Sequence, residues 1–196
     1  MKKLLVAGIL SSSLFLAACA AEDNTADQPD AAKEADVKEE TPVVDTKASL
    51  VNFHLTIIDN FKDEYQTYLA YNAAVAAYDA AVASQTDAEV AEEDKPTAED
   101  LAELQTAIDE AKAAAQGIAA ASAEEIRTYA VPSELEAYEA DITAALDELA
   151  KFYEALEANI DDAETANAHF TAFEEKMGAI FVGEDLPAPS YANAMK

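Results

Sequence analysis

The chain of 196 residues has one cysteine, four glycines, two histidines, and only 12 lysines and arginines against 40 acids. Each scarcity removes a class of function. A lone cysteine cannot close a disulfide within the chain. With so few glycines no phosphate-cradling loop can be drawn. With so few cations there is no basic face to release counterions from phosphates, so nucleic acid is not expected as a partner. A formal net charge of −28 also opposes lying flat on an anionic lipid or polymer surface. No stretch alternates apolar and polar residues between hairpin turns, so strands are not expected.

The position of the single cysteine is informative. Met1-Lys2-Lys3 precedes a short apolar run, LLVAGILSSSLFL, and small residues follow it. This is the layout of a secretory signal peptide, with an apolar stretch short for a transmembrane helix. At its end stands Leu16-Ala17-Ala18-Cys19, which resembles the lipobox of bacterial lipoproteins. The resemblance covers residues 1–19 only. It implies that the Cys19 thiol carries a diacylglyceryl group and that cleavage falls just before it. Residues 1–18 are then the signal peptide and Cys19 the lipid attachment point. Stable anchoring needs more than one acyl chain. The expected location is the extracytoplasmic face of a bacterial membrane.

Removing residues 1–18 takes away two lysines and no acid, which leaves a net charge of −30. Beyond that point Leu, Ile, Val and Phe are 33 of 178 residues. So low a share at so high a charge is compatible with disorder, and pattern has to decide. Residues 20–45 are acidic, Ala-rich, broken by Pro29 and Pro42, and without apolar period. They read as a disordered tether, about 28 Å between ends as a coil and roughly 90 Å fully stretched.

Helical period begins at residue 46. Leu50, His54, Ile57, Phe61, Glu64, Tyr68, Tyr71, Val75, Tyr78 and Val82 form a first seam. The acidic segment 85–96 ends at Pro96 and reads as a loop. Thr97 with Asp100 reads as a helix N-terminus. A thinner, Ala-rich seam then runs from Leu101 to Tyr129, with Gly117 inside it. After Pro132, Ser133 and Glu136 read as a capping box. The third seam runs from Leu135 to Ile180 with one polar position, Asn159. Gly183 reads as the C′ residue, and Pro187 and Pro189 prevent continuation. The expected fold is all-α: an elongated antiparallel three-helix bundle over 46–183, with a flexible C-terminal tail over 184–196. A break of the third helix near 159–162, with Asp161 and Glu164 as a second capping pair, is the alternative.

Little in this pattern carries chemistry. Three helices in one up-down-up order place His54 and His169 at opposite ends, tens of ångströms apart, so they cannot share a metal. Neither has the Glu-x-x-His partner of a di-iron bundle, since residue 51 is Val and residue 166 is Ala. Met177 and His169 share one helix and cannot straddle a haem iron. The acids of the 85–96 loop lack the alternating ligands and central glycine of an EF-hand. Glu64, on the seam, is expected to reach solvent along its stem. Tyr68, Tyr71 and Tyr78 keep the seam spacing and read as core. Tyr65, beside it, is the tyrosine expected to be available to a partner. No catalytic residue, metal or cofactor is expected. The chain reads as a binding, scaffold or spacer module held at the cell envelope, meeting an envelope protein or cell-wall component. A small-solute or cation binder is the alternative.

Overall fold

A computed structural model describes residues 45–196. Residues 1–44 lie outside it, and with them the lipobox, Cys19 and nearly all of the tether. The described residues are mainly helical, without strands. Four helices carry the fold: α1 (Thr46–Thr86), α2 (Ala98–Arg127), α3 (Glu139–Asn159) and α4 (Ala163–Gly183). A single turn, α5 (Tyr191–Ala194), ends the chain.

Local chemistry sets the starts. Asp45 caps α1 by accepting the Ala48 amide at 3.0 Å. Thr97 and Asp100 form the reciprocal capping box of α2: the Asp100 amide donates to Thr97 Oγ1 at 3.2 Å, and the Thr97 amide donates to Asp100 Oδ2 at 2.8 Å. Ser133 does not cap. The chain first winds as a 3-10 turn, Ser133–Tyr138, with Leu135 at φ −111° and ψ 16°. That backbone buries Leu135 completely but does not present the N3 amide in helical position, so the Ser133 hydroxyl turns to Glu134 instead.

The expected third helix is two helices. At Asn159 the side chain accepts the Asp161 amide, and the Asp162 amide returns to the Asn159 carbonyl at 3.1 Å. Asp162, one residue later than expected, caps α4 through the Thr165 amide and hydroxyl. The chain reverses there rather than kinking. His169 reaches Glu148, Phe170 meets Phe152, and Tyr138 donates to Glu184, so α3 and α4 are antiparallel. The three-helix arrangement is therefore replaced by four helices running up, down, up and down.

The seam survives this reversal. Ile142, Ala145, Leu149, Phe152 and Leu156 of α3 and Ala166, Phe170, Phe173 and Met177 of α4 are all buried. Phe152 is the hub of the core, with Tyr68, Tyr153 and Phe170 rings within 5.5 Å between centroids. Such pairs contribute about 0.5–1.5 kcal/mol each beyond their area. From α2 the core takes mostly small residues, Ala115, Ala119, Ser122 and Ala123, which let its axis come close.

The helices differ in length. At 1.5 Å per residue, the 41 residues of α1 span about 61 Å and the 21 of α3 about 31 Å. The four-helix part ends where the α3–α4 turn meets Tyr71 and Lys112 through Asp161. Beyond it α1 and α2 continue as a two-helix arm.

The C-terminal residues, expected as a flexible tail, pack into the bundle. Tyr191 and Met195 are fully buried. The Ala192 amide donates to Glu174 at 2.9 Å, and the Gln66 side-chain amide donates to the carbonyls of Met195 and Lys196. The turn that aims them is a Schellman motif. Leu186 N–H returns to the Phe181 carbonyl and Asp185 N–H to that of Val182. Asp185, with φ 55°, is thus the C′ residue; Gly183 is still helical.

Candidate functional site

The seam position of His54 places its imidazole under the returning C-terminus. Its ring stands edge-on to Phe181, at 5.8 Å, and to Tyr191, at 4.5 Å between centroids. Burial holds the His54 pKa below its ordinary value. Burial, with the Glu174 charge adding to it, pushes the Tyr191 hydroxyl upward. Both rings are neutral near pH 7, and His54 Nδ1 and the Tyr191 hydroxyl are buried without a hydrogen-bond partner. This is a packed aromatic nest with two unsatisfied polar atoms.

Tyr65 is not available to a partner. It is 8% exposed and lies nearly parallel on Phe170, with centroids 4.9 Å apart. The gap that α4 leaves beside α1 is filled by this ring, which is why a position flanking the seam became core. Burial raises its pKa, with Glu174 and Tyr68 adding to the effect. Glu64 does not simply reach solvent either: its Oε2 is buried without a partner. Its charge adds to burial in raising the Tyr153 pKa.

The two histidines are closer than a three-helix path implies. Because α4 runs back along α1, His169 lies level with Tyr65, eleven residues from His54, or about 16 Å of helix rise. His169 Nδ1 lies 2.9 Å from Glu148 Oε2, and Lys151 reaches Glu148 Oε1 at 3.2 Å. The His169 bond, then Lys151, holds the Glu148 carboxyl below the usual range against the opposing effect of burial. Among the described residues no three of His, Cys, Asp and Glu gather as a metal site. In the 85–96 loop, Asp87 accepts the Glu89 amide, and Glu92 pairs with Lys95 at 2.6 Å.

Asp161 joins three helices. It accepts from the Tyr71 hydroxyl and from Lys112 Nζ, the latter at 2.5 Å. Lys112, then Tyr71, lowers its pKa. Burial and the Asp161 bond push Tyr71 up to about 12. Among the described residues open grooves, not enclosed cavities, lie near these joints. One of about 290 Å³ sits between α3 and α4, where Asp141 and Lys176 flank Ala144 and Ala179. A second, of about 470 Å³, lies between Asn52 and Thr56 of α1 and Tyr129 and Pro132 of the α2–α3 connection. A third, of about 340 Å³, lies at the base of the arm, beside Val75, Asp79 and Ala163. In none does the geometry align a nucleophile with a base.

The remaining expected site residues, Leu16, Ala17, Ala18 and Cys19, lie outside the described residues. The His54–Tyr191 contact had no sequence signal, since it depends on a thirteen-residue return that no period marks. The Asp161 junction had a partial one in the run Asn159-Ile160-Asp161-Asp162. No described helix is long and apolar enough to cross a membrane. The chain matches no protein family, no curated protein and no solved structure.

Proposed function

We propose that the protein is a lipid-anchored, non-enzymatic binding or spacer module on the extracytoplasmic face of a bacterial membrane. The observation that carries this reading is the order of residues 1–19: a lysine pair, a short apolar run, and Leu16-Ala17-Ala18 against the one cysteine of the chain. Acylated Cys19 holds the chain to the membrane. The acidic, proline-broken residues 20–45 act as the tether that lifts the helical bundle away. Repulsion between the bundle and anionic surface polymers supports the lifted position.

Mass spectrometry of the protein from a bacterial envelope tests this directly. The expected species begins at Cys19 and carries a diacylglyceryl thioether, and Cys19→Ala releases the protein from the membrane fraction. An unmodified thiol on a chain still carrying residues 1–18 would overturn the reading. So would a Cys19→Ala protein that stays membrane-bound.

A further inference from the structure

The two-helix arm is built like part of a larger bundle with one member missing. Past the junction at Asp161, α1 runs on for 15 residues to Thr86, and α2 covers the same stretch from Ala98 to Lys112. Each adds roughly 21–22 Å. No residue between Tyr71 and Ala115 is buried, yet both seams persist through this stretch: Val75, Tyr78 and Val82 on α1, and Leu101, Leu104 and Ile108 on α2. Five of these are only partly covered, and Val82 is 38% exposed. Two helices alone leave the sides of such a seam open to water. A third helix lying along them closes it, as α3 and α4 together do for the same two helices below the junction.

Charge selects the third helix. Residues 72–111 carry eleven acids and one cation, Lys95, and Lys95 is already engaged with Glu92. A second copy of this arm would bring the same excess against itself. Anionic lipid and nucleic acid are opposed for the same reason. A helix with an apolar stripe and lysine or arginine on its flanks meets both requirements of the surface.

We propose that the arm, residues 72–111, is a docking surface for a cationic amphipathic helix of about four turns on a partner protein, and that the docked helix completes a three-helix coil. This assigns the contact surface of the binding module proposed above and rests on that reading.

The test uses the full-length protein and two synthetic peptides of 15 residues. One has leucines at positions i, i+3, i+4 and i+7 with lysines between them. The other has the same composition in an order that breaks the stripe. Amide chemical-shift mapping is expected to place the striped peptide on residues 72–111, with affinity at least about tenfold above the scrambled one. The double variant Val82→Gln, Leu104→Gln is expected to lose that advantage while keeping the weak, salt-sensitive binding of the scrambled peptide. Equal affinity for the two peptides would overturn the proposal, because charge alone would then account for binding. Shifts confined to residues outside the arm would overturn it too. Lipidation of Cys19 is read independently by mass spectrometry, so failure of the docking surface and failure of the anchor are separate results.

Discussion

The Tyr191 ring stands edge-on to the His54 imidazole, 4.5 Å between centroids, and neither the Tyr191 hydroxyl nor His54 Nδ1 has a hydrogen-bond partner. The last residues of the chain therefore stabilise the bundle through the ring, while the hydroxyl opposes that effect. A buried, unpaired hydroxyl costs about 1–3 kcal/mol. Tyr191→Phe is expected to leave stability unchanged or raise it by about 1 kcal/mol. Tyr191→Ala, which empties the site, is expected to cost about 3–5 kcal/mol. Urea unfolding of the two variants measures both. A loss above about 1 kcal/mol in Tyr191→Phe would mean that the hydroxyl has a partner.

Asp185 holds the left-handed position at the end of α4, with φ 55°. An L residue with a Cβ is disfavoured there, aspartate less than most, and glycine not at all. Its ion pair with Lys47 is long, at 3.9 Å, and exposed, so little is lost with the carboxylate. Asp185→Gly is expected to raise stability by about 0.5–1 kcal/mol. The midpoint of chemical unfolding is the measurement, and a lower midpoint would contradict the Schellman assignment.

The pH dependence follows from shifts of two signs. Tyr71 is raised to about 12, by burial and by Asp161, and burial raises Tyr153 and Tyr191 as well. For a raised group the folded state binds the proton more tightly. Its contribution is complete below the unfolded tyrosine value near 10 and is lost as pH climbs through the folded one, near 12 for Tyr71. His54 is lowered by burial, Glu148 by its hydrogen bonds to His169 and Lys151, and Asp161 by those from Lys112 and Tyr71. Their contributions are present above the unfolded values and fade as pH falls through the folded ones. The first acid-side loss is His54, below about pH 6.5. A plateau of melting temperature between about pH 6.5 and 10 is expected, with a steep alkaline fall. Tyr71→Phe should make that fall shallower. A fall of the same steepness in this variant would show that Tyr71 does not contribute.

Much of this architecture is legible in the sequence, and the illegible parts share one cause. Spacing identifies most of the residues of 135–180 that face the core: eleven of the fourteen seam positions are buried, while Tyr138 and Ala163 are half-buried and Asn159 is exposed. Spacing does not say whether the chain continues or turns back. The three residues between Asn159 and Ala163 carry the seam across the reversal in phase, so one long helix and a hairpin show the same period. From that ambiguity came the misplaced relation of the two histidines and the exposed reading of Tyr65, whose cover is α4. The helix start at Thr97 and Asp100 was readable because both residues lie within one turn, though not that they bond reciprocally. The burial of Tyr191 and Met195 was not, because only tertiary contacts hold them. Cys19 is the opposite case: its reading rests on residues 1–19 alone, and nothing in the fold of 45–196 bears on it.

The folded bundle holds an excess of like charge that opposes it. Residues 45–196 carry 32 acids against 8 lysines and arginines, a net charge of −24, and the cations that are present are largely committed locally, as Lys112 is to Asp161 and Arg127 to Glu154. Exposed pairs of this kind contribute about 0–1 kcal/mol each, and salt weakens them. The acids spread along α1 and α2 repel one another over longer distances, and unfolding lets them separate. Salt shortens the reach of that repulsion from about 30 Å at 0.01 M to about 3 Å at 1 M. Because the repulsions outnumber the pairs, screening should favour the folded state on balance. The melting temperature is expected to be clearly higher in 1 M NaCl than in 0.01 M. Sodium chloride is the salt to use, since sulfate strengthens apolar burial in any protein and would confound the comparison. Helix-band circular dichroism through both melts is the measurement. A midpoint that stays level or falls would mean that the lost ion pairs match the relieved repulsion, and that the acidity of this chain costs its fold little.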